Sequence, residues 1–289
     1  MANVPAMVEK RLKSAVPRFK DILQKKVEED VNEADTVTII TDILVEVFGF
    51  DRYSDITKEY GIRGNYKCDL AVVFKEKVAY LIEVKSIGTN LSEKHLKQAV
   101  NYAAREGIDD VVLTNGLQWQ LHRVTTQGKV QTERLCELDF LNLDPKRTED
   151  LEQLFLLCKR GVQKNAISEF YEHSQIFSPY TVGALLLTDP ILRVVRAELR
   201  KLKSGMKPVS PEQIKDMLEK QVIKRDLLGE DGDEAKKLIA RATRKQRKAA
   251  MEKNKNDLSE TQEAVNREPV EESSSNGDAT KSIWKRFRR

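Results

Sequence analysis

The chain has little that would staple or anchor it. It carries three cysteines, Cys68, Cys136 and Cys158, in 289 residues. Their number is odd, they lie far apart and no C-x-x-C pair occurs, so neither a disulfide framework nor a zinc site is supported and they are expected to be small buried hydrophobes. Only three histidines are present. His95, His122 and His173 stand singly without a second ligand at metal-site spacing, and each reads as a surface or core-edge side chain. No unbroken apolar run approaches the ~20 residues that a membrane-spanning helix needs, and the first residues lack an apolar stretch of signal-peptide length, so a cytoplasmic protein is expected. Glycine-rich phosphate loops of the P-loop or dinucleotide kind are missing too, and there is no internal repeat.

Charge is abundant instead. Asp, Glu, Lys and Arg make up 33% of the chain, and the formal net charge is +4. That total hides a segregation. Residues 236–256 hold nine Lys/Arg and one acid, 257–280 hold seven acids and one Arg, and 281–289 hold five Lys/Arg and no acid, which leaves the body, 1–235, at −3. The positive charge lives in the tail.

Apolar residues recur every three or four positions from Val8 to Val31, the spacing of one helix face, with Pro17 expected to kink or split it. A second amphipathic run, Val37 to Phe48, follows the capping residues Asn32, Asp35 and Thr36 and ends at Gly49. The period then changes. Asp69 to Phe74 and Val78 to Val84 are short runs of Val, Leu and Ile separated by Lys75-Glu76-Lys77, and predict two central strands of a hairpin. A helix is expected from Ser92 to Arg105. Val111 to Thr114, the turn Asn115-Gly116 and Trp119 to Val124 predict strand, turn, strand, and Val130 to Leu138 an edge strand. From Thr148 to about Leu228 all signals are helical, including the capping box Ser210-Pro-Glu-Gln213. Beyond Gly229 large apolar residues almost vanish, so 250–280 cannot bury a core and is expected to be disordered.

The constellation that points to chemistry sits on the hairpin. A loop centred on Glu76 pairs each position n with 152 − n, which sets Asp69 opposite Glu83, while Lys85 projects from the same face as Glu83. Two carboxylates and an ammonium at one end of an apolar hairpin are costly unless something binds there. Such hard oxygen ligands suit Mg²⁺. Glu-x-Lys alone carries almost no weight, since Glu234-Ala-Lys236 matches it within a charged helical stretch. Context adds the weight: Asp69 starts one apolar strand, Glu83 and Lys85 end the next, and Gln98 and Tyr102 share one face of the helix that follows.

Lys67-Cys-Asp69-Leu-Ala-Val-Val, Leu81-Ile-Glu83-Val-Lys85, Gln98-Ala-Val-Asn-Tyr102 and Leu113-Thr-Asn-Gly116-Leu-Gln-Trp119, in that order, closely resemble the PD-(D/E)XK nuclease fold. In particular, roughly residues 30–140 look like the N-terminal nuclease domain of type I restriction enzyme R subunits. The resemblance implies an α/β fold, a restriction-endonuclease-like mixed central sheet flanked by helices, here followed by a C-terminal helical module and a disordered charged tail. The expected divisions are 1–32 as an N-terminal helical segment, 33–143 as the nuclease-like domain, 144–228 as the helical module and 229–289 as the tail. It implies Asp69 and Glu83 as metal ligands, Glu33 as a further acidic ligand with Glu59 as the alternative, Lys85 as the catalytic lysine, and Gln98 and Tyr102 as the helix motif lining the site. Mg²⁺, replaceable by Mn²⁺, is the implied cofactor and DNA the implied partner and substrate. Cys68 replaces the family's leading proline, and the chain has no Walker A sequence, so ATP-driven translocation by this chain alone is not expected.

The implied function is metal-dependent hydrolysis of DNA phosphodiester bonds, of restriction or defence type. The alternative is a catalytically silent nucleic-acid-binding or regulatory module of the same fold. Trp119 reads as core packing rather than a base-stacking platform. Lys94, Lys97 and Arg105 suit phosphate contacts and a solvated helix face equally. The end, Ser282-Ile-Trp-Lys-Arg-Phe-Arg-Arg289, fits docking on a partner protein or an anionic membrane as well as it fits DNA.

Overall fold

The computed structural model describes residues 4–62, 66–126, 129–202, 207 and 209–265. The chain forms two compact units, Met1–Ser178 and Pro179–Arg289.

The first unit is built on a six-stranded sheet in the order β1-β2-β3-β4-β5-β6. Helices α1 (Ala6–Glu28) and α2 (Glu33–Glu46) precede β1 (Ile56–Ile62), β2 (Tyr66–Phe74) and β3 (Lys77–Val84). Helix α3 (Glu93–Glu106) then crosses to β4 (Asp110–Thr114), followed by β5 (Gln118–Thr125), β6 (Gln131–Asp139), α4 (Thr148–Leu157), α5 (Lys159–Gln163) and α6 (Ala166–Ile176). All neighbours pair antiparallel except β3 and β4, which α3 joins in parallel. A parallel pair needs such a crossover, because a tight turn cannot carry the chain back to the same end of the sheet.

Alternation along the strands sends side chains to two cores. Leu70, Val72, Tyr80, Ile82, Val84, Val112, Trp119 and Leu121 face α1, α2 and α4 through Val8, Leu12, Val16, Phe19, Leu23, Ile40, Leu44 and Phe155. Ala71, Leu81, Val111, Leu113 and Val124 lie under α3 with Leu96, Ala99, Val100, Tyr102 and Ala103. Helix α1 runs through Pro17 without ending there. The three cysteines are buried, as expected. Strand β1 is an element the sequence did not announce: Ile56-Thr-Lys-Glu-Tyr-Gly-Ile62 is a charged edge strand whose only strong apolar residues stand at its two ends.

The hairpin register meets the pairing arithmetic where it matters. Leu70↔Ile82, Ala71↔Leu81 and Val72↔Tyr80 each sum to 152, while a bulge between Val72 and Val73 shifts the rest to Val73↔Val78 and Phe74↔Lys77. The turn is therefore Lys75-Glu76 rather than a loop centred on Glu76. Both residues have positive φ, 50° and 63°, the left-handed pair that matches the twist of a two-residue hairpin.

The boundary expected at 143/144 falls instead after Ser178. Helices α4 to α6 belong with the sheet: Leu154, Phe155, Leu157, Cys158 and Ile167 share its core, and the Tyr80 hydroxyl donates to the Leu157 carbonyl at 2.9 Å. Helix α6 is also held by Arg123, which pairs with Asp110 (Nε to Oδ1 2.9 Å) and lies over the Tyr171 ring at 5.0 Å. Likewise 1–32 is no separate segment, since α1 fills the same core.

The second unit contains α7 (Pro179–Leu186), α8 (Asp189–Leu202), α9 (Pro211–Met217), a π turn (Leu218–Val222), a 3-10 turn (Arg225–Leu228) and α10 (Glu230–Val265). The Ser210–Gln213 capping box forms as predicted. Helix α10 takes in the first part of the stretch expected to be tail. Its Ala, Lys, Arg, Gln and Glu are strong helix formers, so the backbone need not await an apolar core of its own, and Ala235 is buried. The expectations for 266–289 lie outside the described residues. Among the described residues no helix is long and apolar enough to cross a membrane.

Candidate active site

At the carboxyl end of β3 the ladder with β2 stops at Leu70↔Ile82, and side chains continue it. The Cys68 thiol donates to the Ile82 carbonyl at 3.1 Å, and the Val84 N–H donates to Asp69 Oδ2 at 2.7 Å. Asp69 is thereby fixed against β3 one register step beyond the last backbone pair. On the other side, β3 is carried past its end by the Lys85 N–H, which donates to the Thr114 carbonyl at 2.9 Å.

Glu83, whose side chain is 8% exposed, accepts from Lys85 Nζ at 2.9 Å. The same ammonium lies 3.4 Å from Glu33 Oε2, at the first turn of α2, whose cap Asn32 accepts from the Asp35 N–H. The structure thus brings together Glu33, Asp69, Glu83 and Lys85. Glu59 is placed differently: its exposed carboxylate pairs with Lys67 at 2.6 Å. On α3, Gln98 is exposed and Tyr102 is buried in the core beneath the helix.

Burial pushes the Asp69 carboxyl above its ordinary range, with the Val84 N–H and Lys85 opposing and the charges of Glu33 and Glu59 adding. Burial pulls Lys85 down, but the hydrogen bond and charge of Glu83 outweigh it, and with Glu33 and Asp69 they hold the lysine above its usual value. Lys85 is therefore a cation at neutral pH, fitted to offset negative charge and not to take up a proton. Burial, then the charges of Glu83 and Asp69, push the Cys68 thiol up to about 12, so it is no nucleophile. The Tyr102 hydroxyl is likewise pushed up to about 12 by burial, with Glu106, Tyr60 and Cys68 adding, and stays protonated.

Three carboxylates around one ammonium leave the cluster formally at −2 when all are ionised. Hard oxygens with that excess charge fit a divalent cation in donor type and in sign. Among the described residues, however, no three His, Cys, Asp or Glu already form a group able to hold a metal. The arrangement shows how the carboxylates are engaged: Lys85 contacts both Glu83 and Glu33, and Asp69 is turned onto Val84.

The sequence marks Asn115-Gly116 as a turn and as part of the family-like run Leu113 to Trp119, but assigns the Asn115 side chain no part of its own. Asn115 Oδ1 accepts from the Leu117 and Gln118 N–H groups, while its Nδ2 donates to the Ile87 carbonyl at 3.3 Å and the Thr89 carbonyl at 2.9 Å. It ties the segment after Lys85 to the β4–β5 turn. Gly116 has φ +87°, and a Cβ there would come within 3.3 Å of Leu23, so the glycine lets α1 approach.

Residues 38–138 match the family described as the type I restriction enzyme R protein N terminus. The match takes in Asp69, Glu83, Lys85, Gln98 and Tyr102, begins after Glu33 and covers roughly a third of the chain. The resemblance read from the motifs is met over that stretch. Comparison with curated proteins and with solved structures found no match.

Two strands from Lys85 lies a second perturbed group. His122 is 8% exposed on β5, and burial, helped by Arg134 and opposed by Glu137, pulls it down to about 4. In the unfolded chain it titrates near its ordinary 6.5. The unfolded state therefore takes up a proton first as pH falls. The contribution of neutral His122 is complete above pH 6.5 and is lost as pH drops towards 4, by up to about 3 kcal/mol. Urea unfolding at pH 7 and pH 4.5 is expected to show a smaller loss in His122→Leu than in wild type.

Proposed function

We propose that the chain is a metal-dependent nuclease that hydrolyses DNA phosphodiester bonds, of restriction or defence type. The observation that carries this reading is the convergence of Glu33, Asp69, Glu83 and Lys85 at the end of β3, inside or beside the stretch that matches a restriction-enzyme domain. Asp69 and Glu83 would hold Mg²⁺ or Mn²⁺, with Glu33 completing the acidic set from α2. Such a cation supplies polarisation of a phosphate oxygen and an acidified water.

The chain's own residues do the rest. Lys85, kept charged by Glu83, stabilises negative charge growing on the phosphate oxygens, in a half-buried setting where that charge counts for more than in water. The Val84 N–H orients Asp69. Tyr102 anchors α3 on the sheet, and Gln98, exposed one turn earlier on that helix, offers a hydrogen-bonding amide to the strand. The basic run 236–256, on α10, adds salt-sensitive attraction to the phosphate backbone.

One observation favours a second reading, a silent DNA-binding module: the ammonium of Lys85 contacts two of the three carboxylates. Incubating the purified chain with plasmid, linear duplex and single-stranded DNA, with and without Mg²⁺ or Mn²⁺, separates the two. Cleavage that appears with metal and stops with a chelator is expected. Binding of DNA with no cleavage under any of these conditions would favour the silent module.

A further inference from the structure

A cavity of about 740 Å³ opens on the α3 side of the sheet, between the start of α3 and strands β4 to β6. It adjoins the candidate active site. Glu83 pairs with Leu113, Leu113 with Gln120 and Gln120 with Glu137, so one row of the sheet runs from the acidic cluster straight across the cavity floor.

Its lining is of three kinds. Leu96, Val100 and Leu113 form apolar wall. His122 enters the floor with its Nε2 buried and without a hydrogen-bond partner among the described residues. Lys94, Lys97 and Arg134 bring cations, with Glu93 as an acid among them. Arg134 is there because of a bulge: the register shifts between Leu121 and His122, so Glu137 opposes Gln120 while Arg134 opposes His122, and the two charged residues meet at 2.9 Å from the same face. Bulges re-aim side chains in this way.

A buried, unpartnered polar nitrogen on an apolar floor is unfavourable until a ligand meets it. The unpartnered Nε2 offers one donor or one acceptor, according to tautomer, suited to the edge of a planar heterocycle, the aliphatic wall suits its face, and the cations suit an attached phosphate. The volume lies within the usual range of small-molecule sites, roughly 300 to 1,000 Å³. We infer that this cavity binds a nucleoside monophosphate unit, its base against Leu96, Val100 and His122 and its phosphate near Lys94, Lys97 and Arg134. The inference rests on the nuclease reading only for the source of that unit: beside a DNA-cleaving site, a nucleotide extruded from the strand would enter it, whereas otherwise the occupant is a free nucleotide.

The test uses the full chain without divalent metal, so that cleavage plays no part. Deoxynucleoside monophosphates are titrated calorimetrically, and fluorescent duplexes, one fully paired and one with a single bulged nucleotide, are titrated by anisotropy. Wild type is expected to bind mononucleotide and to prefer the bulged duplex. His122→Leu, which puts an apolar side chain on an apolar floor, should weaken both by about tenfold, the loss of one hydrogen bond. Lys97→Glu, on the exposed face of α3, should weaken both with a shallower salt dependence. Mononucleotide binding without preference for the bulge supports the pocket and makes a free nucleotide its occupant. No mononucleotide binding by wild type, or equal binding by wild type and both variants, overturns it. Because the nuclease reading is judged by metal-dependent cleavage, either can fail while the other stands.

Discussion

Glu83→Gln and Asp69→Asn are expected to reduce DNA cleavage to background, while Lys85→Ala keeps the acidic set and loses about 100- to 1000-fold in single-turnover rate at saturating Mg²⁺. The split follows from the positions of the groups. Glu83 and Asp69 are the two carboxylates fixed to β3, one by the ammonium it accepts from and one by the Val84 N–H. Their neutral amides keep size and much of the hydrogen bonding but remove the charge that would hold a cation. Lys85 is already protonated and has no proton to accept, so its removal costs charge stabilisation alone. If the cluster were merely an ion pair, all three variants would change stability slightly and leave the rate as it was.

A second large effect is expected from Trp119→Ala. Trp119 is 1% exposed, meets Phe48 edge-on with ring centroids 5.3 Å apart, and donates from Nε1 to the Gly116 carbonyl at 3.0 Å. Truncating a buried tryptophan costs about 3 to 5 kcal/mol, a large share of the ~5 to 15 kcal/mol that a domain has in all. Thermal unfolding should fall by about 10 °C. Phe48 lies just beyond the end of α2, the helix whose first residue is Glu33, so the variant should also blunt cleavage in proportion to that helix's loosened hold. A change below about 1 kcal/mol in urea unfolding would mean that this ring pair does not carry the packing of α2 on the sheet.

The parts of the site that were legible in the sequence are those set by period. Val, Leu and Ile in two short runs fix which residues alternate, and a pairing about Glu76 put Asp69 opposite Glu83, a register the structure keeps at that end because the bulge at Val72/Val73 offsets a turn centred between Lys75 and Glu76. The bulge at Val72/Val73 left no mark, because either register buries the same apolar set near the turn. Strand β1 was missed because an edge strand needs few apolar residues when one side of its backbone is unpaired. Helices α4 to α6 were read correctly as helices but assigned to the wrong unit, since an amphipathic face shows that something covers it and not what. Asn115 was legible as a turn former and as part of a family-like run, but that its amide also reaches Ile87 and Thr89 depends on a loop brought near by the parallel β3–β4 pairing. His122 looked isolated because its neighbour Arg134 arrives through a bulge on another strand.

The most direct measurement is a calorimetric titration of the full chain with Mn²⁺. Wild type is expected to bind the ion, Asp69→Asn and Glu83→Gln to lose it, and Lys85→Ala to bind it more tightly, because the ammonium that contacts Glu83 and Glu33 is gone. A wild-type chain that takes up no Mn²⁺, or a Glu83→Gln variant that binds it as well as wild type, would contradict the assignment of this cluster as a metal-dependent hydrolytic site.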